Sequence, residues 1–463
     1  MESLKRSLLM PELVDGNPSP KSHIKTLMRI GYDLNSAIAD VIDNSISANA
    51  KLISIKCPPS AKDPIITISD DGYGMSENEL ISNMRIGCKD PNDDRSENDL
   101  GRFGSGMKTA SFSQARKLTV ISKKNGSEIC GAYWDIDEIE QTDSWCLKKL
   151  NQKEIIELSN LDQAIIDEGG TQLIWEKLPK FFIKDQVNLE SEIALSMVGL
   201  SKYLALHFHK FMKGQKKVSI MVQNRELNPI DPFLKGVNGA ADGPSEPIRT
   251  RKGKVYVHTH LLPHPSRIPQ DILDQHGGAD EIYKNQGLYI YRANRLIVAG
   301  GWMGISNSNI LGNLARVEIN IPASLDDEWS TDVKKSSMQL PRKVRTVLRR
   351  LAAVPVEKSK EEHKYKGKTE IANQYWEIIE NTVDKTIQYH ISLDNNELSN
   401  LIKKLPKDIR LELKKFLQNL SINLPYHHIF QKHAANPKAI EQDKVDLDSF
   451  IEASKELDEL WNT

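Results

Sequence analysis

The chain has 463 residues, with 62 Lys and Arg against 63 Asp and Glu and a formal net charge of −1 at pH 7. This length allows two or three domains, and 27% charged with 39% hydrophobic residues is typical of a soluble globular protein. The balanced charge argues against a uniformly basic coat for nucleic acid but leaves local patches open. No apolar run reaches the roughly 18 residues of a transmembrane helix, and the first residues lack the apolar core of a secretion signal. We therefore expect a cytoplasmic protein without a membrane span, whose widely spaced cysteines are thiols rather than disulfides or zinc ligands.

Residues 1–185 mix helical periodicity with short β-rich runs. Apolar residues at helical spacing predict a helix over 33–48. Strand-like runs follow at 53–55, 65–68, 118–121 and 171–175. Gly-rich turns lie between them, where a ligand can approach the backbone. The first domain is therefore predicted to be α/β.

Two further regions follow in the chain. Residues 186–345 carry strand runs at 218–222, 287–291 and 315–321, and residues 236–252 predict a long loop because they are rich in Gly, Pro and Ala. Residues 346–463 are charged and predicted to be helical. A second α/β domain and a helical C-terminal region are therefore expected.

The predicted helix at 33–48 carries the first candidate motif. Asp40 and Asn44 are four residues apart, so both project from one helix face. That face can present a carboxylate to a water and an amide oxygen to a metal ion. On its own, the same spacing occurs by chance on many exposed helices.

The second motif directly follows an apolar strand and reads Ile-Ser-Asp-Asp-Gly-Tyr-Gly-Met over residues 68–75. Gly72 and Gly74 allow the backbone to turn sharply and approach a flat ligand. Asp70, at the strand end, can accept a hydrogen bond from an exocyclic amine such as that of adenine. The alternative is a tight surface turn between a strand and a helix.

The third motif reads Leu-Gly-Arg-Phe-Gly-Ser-Gly-Met-Lys-Thr-Ala-Ser over residues 100–111. Its glycines lead into a predicted helix, so free N–H groups and the positive end of the helix dipole would face an anion. The glycine spacing is neither that of a Walker loop nor that of the dinucleotide fingerprint. A fourth, weaker motif is Glu168-Gly169-Gly170-Thr171, where a hydroxyl at a strand start could contact the adenine end.

The order and spacing of these four motifs resemble the GHKL ATPases, the superfamily of gyrase, heat-shock chaperones, histidine kinases and MutL. The resemblance implies a Bergerat fold, a two-layer α/β sandwich that binds ATP and Mg²⁺. It implies that Asn44 coordinates Mg²⁺, that Asp70 binds the adenine amine with water-mediated support from Thr171, and that residues 76–100 form a lid. The implied nucleotide contacts are Asn44, Asp70, Gly72, Gly74, Met75, Gly101, Arg102, Phe103, Gly104, Ser105, Gly106, Met107, Lys108 and Thr171.

The chain departs from these relatives at the general base. Gyrase, MutL and MORC proteins place Glu where this chain has Asp40, and Asp is shorter by about 1.5 Å. A general base must lie within about 2.6–3.2 Å of the proton it takes, or reach it through a water. Asp40 therefore serves as the catalytic base if the helix lies closer, and turnover is slow if it does not. Ser47 is a second departure, because relatives often carry Asp there.

Residues 287–297 and 332–337 are similar to the transducer domain of MORC-type ATPases, which has a ribosomal S5-like fold. In that branch a transducer lysine reaches the γ-phosphate, and Lys335 is the first choice, with Lys334 left open. The resemblance places the ATP-binding domain at 1–185, the transducer at 186–345 and a helical region at 346–463. It also implies a homodimer that closes when ATP binds.

Two functions remain open at this stage. One is an ATP-gated clamp on DNA in a prokaryotic restriction-type or antiviral defence system. Its candidate contacts are Lys213, Lys216, Lys217, Arg342, Lys343, Arg345, Arg349 and Arg350, whose binding to phosphates would be salt-sensitive and sequence-blind. The other is a chaperone-like or adaptor ATPase whose nucleotide state controls binding to a protein partner, such as a nuclease subunit encoded nearby.

Overall fold

The structure is a computed structural model of the chain. It describes residues 17–29, 31–59, 63–87, 106–182, 189–250, 253–306, 312–322, 325, 329, 340–362, 376–381, 386–393, 395–425 and 429. The described residues form two large sheets with helices packed against them, and a small C-terminal hairpin with two helices. The predicted α/β fold class is confirmed.

The first sheet has eight strands in the order β5-β4-β3-β6-β2-β1-β7-β8. Its strands are β1 (Leu52–Lys56), β2 (Ile66–Asp70), β3 (Lys117–Lys123), β4 (Cys130–Asp135), β5 (Lys148–Leu150), β6 (Gly170–Glu176), β7 (Ser219–Val222) and β8 (Arg225–Glu226). Neighbouring strands run antiparallel except β1 and β7, which are parallel. β7, which sequence reasoning assigned to the second region, thus extends the first sheet.

Among the described residues, eight α-helices accompany this sheet. They are α1 (Pro20–Met28), α2 (Leu34–Ser47), α3 (Glu77–Met84), α4 (Gly106–Gln114), α5 (Ile136–Thr142), α6 (Gln152–Ile156), α7 (Gln163–Asp167) and α8 (Leu189–His207). The predicted helix at 33–48 is α2, and it begins where the Asp33 side chain accepts a hydrogen bond from the Ser36 N–H. Its apolar stripe packs into the main core together with one face of the sheet.

The two faces of the first sheet differ. Because side chains alternate along a strand, Leu118 and Val120 of β3 point into the main core under α2 and α4. Ile121 and Ile174 point the other way, into a smaller apolar cluster with Ile155 of α6. Alternation therefore determines which strand residues face α2 and α4.

The second sheet has the order β12-β11-β13-β10-β9. Its strands are β9 (Ala241–Arg249), β10 (Lys254–Leu261), β11 (Gly287–Arg292), β12 (Arg295–Ala299) and β13 (Ala315–Ile321), with α9 (Gln270–Gln275) and α10 (Ala279–Lys284) after β10. The helix α11 (Arg342–Glu362) packs on β10 and β13, and Val344, Leu348 and Leu351 enter the core of this sheet. Five strands with a covering helix make this unit a second α/β layer.

The prediction of a long loop over 236–252 is wrong, because β9 occupies most of it. β9 contains Pro244 and Pro247, which cannot donate to a β-ladder. The strand lies at the edge of its sheet and pairs on one side only, with β10, so the prolines cost it no second ladder. A composition rich in Gly and Pro thus concealed an edge strand.

The C-terminal region contains a hairpin that was not predicted, in addition to helices. β14 (Trp376–Asn381) pairs antiparallel with β15 (Thr386–Ile391), followed by α12 (Asn396–Lys404) and α13 (Lys407–Ile422). In the part of the chain that the structure describes, no helix combines the length and apolar character needed to cross a membrane.

Candidate functional site

Asp70 lies at the end of β2 and faces the helices. Ile66 and Ile68 belong to the main core, and strand alternation places Asp70 on the same face. The carboxylate lies under α2, where its Oδ2 accepts a hydrogen bond from the Ser45 hydroxyl at 2.7 Å. Its Oδ1 accepts the Gly72 N–H at 3.0 Å. A buried carboxylate thus lies between the sheet and the last turn of α2.

Burial dominates the electrostatics of Asp70. It raises the pKa of the carboxyl from 3.8 to about 6, and the neighbouring charge of Asp71 adds a smaller rise. The hydrogen bonds from Ser45 and Gly72 act in the opposite direction, because they favour the ionised form. The carboxyl of Asp70 is consequently ionised at neutral pH, although its burial makes the ionised form energetically costly.

Two hydroxyl side chains follow Asp70 on the next two strands of the sheet. The strand register pairs Asp70 with Thr171 of β6, and Thr171 with Ser122 of β3. The Thr171 and Ser122 hydroxyls lie 2.8 Å apart. Ser122 Oγ also donates to the Gly170 carbonyl and accepts the Met75 N–H at 2.8 Å. The turn after β2 is therefore anchored to the floor formed by β6 and β3.

The turn after β2 requires glycine at both predicted positions. A Cβ on Gly72 would lie 2.8 Å from both Ala48 Cβ and Asp70 Oδ1. Gly74 has a φ of +64°, and a Cβ there would lie 2.1 Å from the Lys123 carbonyl oxygen. Such distances exclude any other residue without movement of the backbone. The glycines thus shape the turn by letting it pass close to α2 and β3.

The helix α2 presents Asp40 and Asn44 on one face, as the four-residue spacing predicts. Asp40 is half-buried, and its Oδ2 accepts the Tyr32 hydroxyl at 2.8 Å. Asn44 is exposed, and its Nδ2 donates to the Asp40 carbonyl at 3.0 Å. That bond orients the amide along the helix. The Tyr32 carbonyl in turn accepts from Gln114 and from Lys180 at 3.0 and 2.6 Å, so this residue is fixed from three sides.

The helix α4 begins directly opposite Asp40. A Cβ built on Gly106 would meet only Asp40 Oδ2, at 3.9 Å, so the first turn of α4 borders the space beside that carboxylate. Met107 is partly buried against the main core. Lys108 is buried, and its ammonium donates to the Asn83 carbonyl near the end of α3 at 2.6 Å. Lys108 therefore joins α4 to α3, the described part of the predicted lid.

The structure brings together most of the described candidates. Asp40 lies beside Gly106 of α4, and Asn44 donates to the Asp40 carbonyl. A second group lies at the end of β2 and on the adjoining strands: Asp70, Gly72, Gly74, Met75 and Thr171. Seven further candidates lie outside the described residues: Gly101, Arg102, Phe103, Gly104, Ser105, Lys334 and Lys335. The same holds for residues 88–100 of the predicted lid.

Sequence reasoning missed three residues of this site. Ser45 lies within the predicted helix at 33–48 but belongs to no motif, yet it bonds to Asp70. Ser122 and Tyr32 belong to no motif, since their partners come from strand pairing and from the turn before α2. A polar residue on an otherwise apolar helix face was the one available indication, and it applied only to Ser45.

The arrangement suits a nucleotide chemically. A buried carboxylate can accept from an exocyclic amine, an exposed amide oxygen can bind Mg²⁺, and a helix beginning with glycine can offer N–H groups to phosphate. Among the described residues, no three His, Cys, Asp or Glu side chains group as metal ligands. A full set of protein ligands is not needed for Mg²⁺, because this ion usually keeps several waters and binds through substrate phosphates. The residues present thus fit ATP with Mg²⁺.

Comparison with known proteins agrees with this geometry. Residues 32–169 match the family described as histidine kinase-, DNA gyrase B-, and HSP90-like ATPase. The chain is 30% identical over 91 residues to ATPase morc-1 of Caenorhabditis elegans, covering 20% of this chain and 10% of that protein. It is 35% identical over 101 residues to the chaperone protein HtpG of Halalkalibacterium halodurans, covering 20% of this chain and 16% of the chaperone.

A second HtpG, from Clostridium perfringens, is 34% identical over 107 residues, covering 21% of this chain and 17% of that protein. The matched segments thus span about a tenth to a sixth of these relatives. The family match at residues 32–169 includes Asp40, Asn44 and Asp70. The N-terminal part of the chain is therefore similar to the ATP-binding domain of the GHKL ATPases.

Proposed function

We propose that the chain binds Mg²⁺-ATP between α2, α4 and the first sheet, and hydrolyses it. One observation carries this proposal: α2 joins three motifs, because its Asp40 lies beside the first turn of α4 and its Ser45 donates to the buried Asp70. The three motifs are distant in the sequence, so the fold brings them to one helix.

Asp70 would recognise the adenine. Each carboxylate oxygen already accepts one hydrogen bond, from Gly72 and from Ser45, and a carboxylate offers about four lone-pair sites. Capacity therefore remains for the exocyclic amine. Thr171 and Ser122, next in line across the sheet, supply hydroxyls that could hold a bridging water.

Asn44 would hold Mg²⁺, and the start of α4 would meet the phosphates. Its Nδ2 is bonded to the Asp40 carbonyl, which directs the amide oxygen outward as a ligand. When bound, Mg²⁺ would neutralise phosphate charge. The N–H groups of α4 add the positive end of a helix dipole beside Gly106. Gly101 to Ser105 and Lys335 keep their proposed phosphate roles as predictions.

Asp40 would act as the general base for the attacking water. The Tyr32 hydroxyl fixes one carboxylate oxygen at 2.8 Å, and the Tyr32 carbonyl is itself held by Gln114 and Lys180. A carboxylate restrained in this way loses little freedom when it takes a proton, which favours catalysis by a short side chain. Slow turnover remains the expectation if the water lies beyond its reach.

ATP binding would drive closure of a homodimer acting on DNA in a prokaryotic defence or restriction-type system. The helix α11 exposes Lys343, Arg345, Arg349 and Arg350, although Arg350 is paired with Glu246. Lys213 is likewise paired with Asp231, at 3.1 Å. The similarity to a protein named ATPase morc-1 supports the ATPase activity on which this proposal depends.

The alternative is a chaperone-like or adaptor ATPase that controls a protein partner, and the similarity to two proteins named HtpG favours it. The test is ATP hydrolysis by the full chain, with and without duplex DNA at moderate salt. DNA-stimulated turnover supports the clamp, whereas turnover indifferent to DNA supports the adaptor. Absence of Mg²⁺-dependent ATP binding by calorimetry would refute both.

A further inference from the structure

A buried ion pair connects the helix α2 to the second sheet. Arg295 Nε, at the start of β12, lies 3.2 Å from Asp43 Oδ1 of α2. Asp43 is 1% exposed and Arg295 is 5% exposed. Both charged groups are therefore removed from water. A buried ion pair must keep a close geometry to offset the cost of this desolvation.

Arg295 is held in a defined cluster of neighbours. Its guanidinium lies over the Phe208 ring at 4.0 Å, just beyond the end of α8. Nη1 donates to the Leu296 carbonyl at 2.8 Å and to the His207 carbonyl at 3.4 Å. The arginine thus touches α2, the end of α8 and its own strand together.

His207 does not add a second positive charge to this cluster. Its burial, and then the charge of Arg295, lower the pKa of His207 to about 3. The imidazole is therefore neutral at physiological pH, and its Nδ1 is bonded to the Tyr203 carbonyl oxygen. The positive charge facing Asp43 in this cluster comes from Arg295.

Asp43 lies on the same helix as two residues of the candidate site, Asp40 and Asn44. It precedes Asn44 by one residue and follows Asp40 by three, so it moves with both as part of one helix. A displacement of α2 that accompanies nucleotide binding must therefore either move Arg295 with Asp43 or lengthen the contact between them. Small shifts at such a tightly packed contact select between discrete arrangements, because packed cores do not deform continuously.

We propose that the Asp43–Arg295 ion pair transmits the nucleotide state of α2 to the β11–β12 hairpin of the second sheet. Asp43 and Arg295 are positioning residues: they act on the second sheet through α2, without touching the nucleotide. This inference rests on the proposed ATP binding. β11 pairs with β13 in the middle of the sheet, so a movement of the hairpin would reach the layer beneath α11.

A second buried ion pair supplies a matched control. Lys210, after the end of α8, lies 2.6 Å from Glu318 of β13, and Glu318 is 6% exposed as a side chain. This contact also joins the segment after α8 to the second sheet, but Lys210 and Glu318 make no described contact with α2. Breaking it disturbs the junction without disturbing the proposed link.

The test is hydrogen exchange of residues 287–299 in the full chain, with and without Mg²⁺ and a non-hydrolysable ATP analogue. The wild type should show a nucleotide-dependent change in exchange there. Asp43→Asn should still bind the analogue, measured by calorimetry, but lose that change. Lys210→Met should keep it. Arg295→Lys is the second test, for the case that Asp43→Asn does not fold. It keeps the charge without the planar guanidinium, and the nucleotide-dependent change in exchange should be reduced.

The outcomes separate this inference from the proposed function. If the wild type does not bind the analogue, the proposed function fails and this inference fails with it. If the wild type binds but residues 287–299 do not respond, only the inference is overturned. It is also overturned if Asp43→Asn or Arg295→Lys binds and responds as fully as the wild type, or if Lys210→Met abolishes the response equally.

Discussion

Replacing Asp70 with asparagine should stabilise the nucleotide-free protein at neutral pH while weakening nucleotide binding. Asp70 is buried under α2, and its ionised form is maintained by Ser45 and Gly72 against the cost of burial. Asparagine is close in shape and carries no charge to desolvate. Its oxygen can still accept the Gly72 N–H. Its amide presents a donor where an acceptor for the adenine amine is needed.

The magnitude follows from the rise in the pKa of Asp70 from 3.8 to about 6. At about 1.4 kcal/mol per pKa unit, this rise corresponds to a destabilisation of about 3 kcal/mol once the carboxyl is ionised. The sign is that of a group whose folded pKa is raised. Its contribution to stability is fully present below the unfolded pKa, near 4, and is lost as pH rises through about 6. Imperfect hydrogen bonding by the amide reduces the expected gain to about 1–3 kcal/mol.

Native-state hydrogen exchange at β2 and β6 measures this change locally, which matters because several domains need not unfold together. Between about pH 4 and pH 6, the wild type should lose local stability as pH rises, and Asp70→Asn should lose less. Calorimetry should show ATP and ADP binding weakened alike in the variant.

The neighbouring Asp71 provides the control. It is exposed, and its Oδ1 accepts the Lys51 and Leu52 N–H groups at 2.6 and 2.8 Å. Asp71→Asn should therefore stabilise the protein much less than Asp70→Asn, because the charge of Asp71 makes only a small contribution to the raised pKa of Asp70. The reasoning is refuted if Asp70→Asn is less stable than the wild type at about pH 8, where the carboxyl is ionised. A variant that loses ATP but keeps ADP would place Asp70 near the phosphates instead.

Four further outcomes are expected. Asn44→Ala should abolish Mg²⁺-dependent nucleotide binding in a folded protein, and unchanged ATP affinity by calorimetry would remove Asn44 from the metal site. Asp40→Ala should keep ATP binding and lower hydrolysis by about 10²–10⁴-fold, as expected for a general base, whereas unchanged turnover would exclude Asp40. Tyr32→Phe removes the hydroxyl bonded to Asp40, so hydrolysis should fall by about tenfold with ATP affinity unchanged; equal rates would contradict this positioning role. Sedimentation with a non-hydrolysable analogue should show an ATP-dependent dimer, and a protein that stays monomeric would oppose the clamp.

Local patterns were sufficient where the contact is local. The spacing of Asp40 and Asn44 predicted a shared helix face, and α2 confirms the helix within one residue at each end. Asp70 was recognisable because an apolar strand leads directly into it, and strand alternation then directs it to the helices. Periodicity and turn chemistry thus revealed the parts of the site lying within one element.

Contacts between distant segments were not readable in the same way. Ser122 meets Thr171, 49 positions later, only because β3 and β6 are neighbours in that register. Asp43 of α2 meets Arg295 of the second sheet, which lies far away in the sequence. The order of strands and the packing of layers decide such pairs, and a single sequence displays neither.

The helix α2 shows why these two kinds of contact belong together. Successive helical residues turn by about 100°, so neighbouring polar positions point in different directions. Asp40 lies beside the start of α4, and Asn44 is exposed one turn further along the helix. Ser45 donates to Asp70, and Asp43 pairs with Arg295. One rigid helix therefore touches the proposed base, metal and adenine positions and the second sheet. A displacement favoured by any one partner must be felt by the others, because the backbone hydrogen bonds of α2 hold them at constant spacing. The combination of Asp40→Ala with Asp43→Asn should accordingly trap bound nucleotide without the response of the second sheet, which separates nucleotide binding from its transmission.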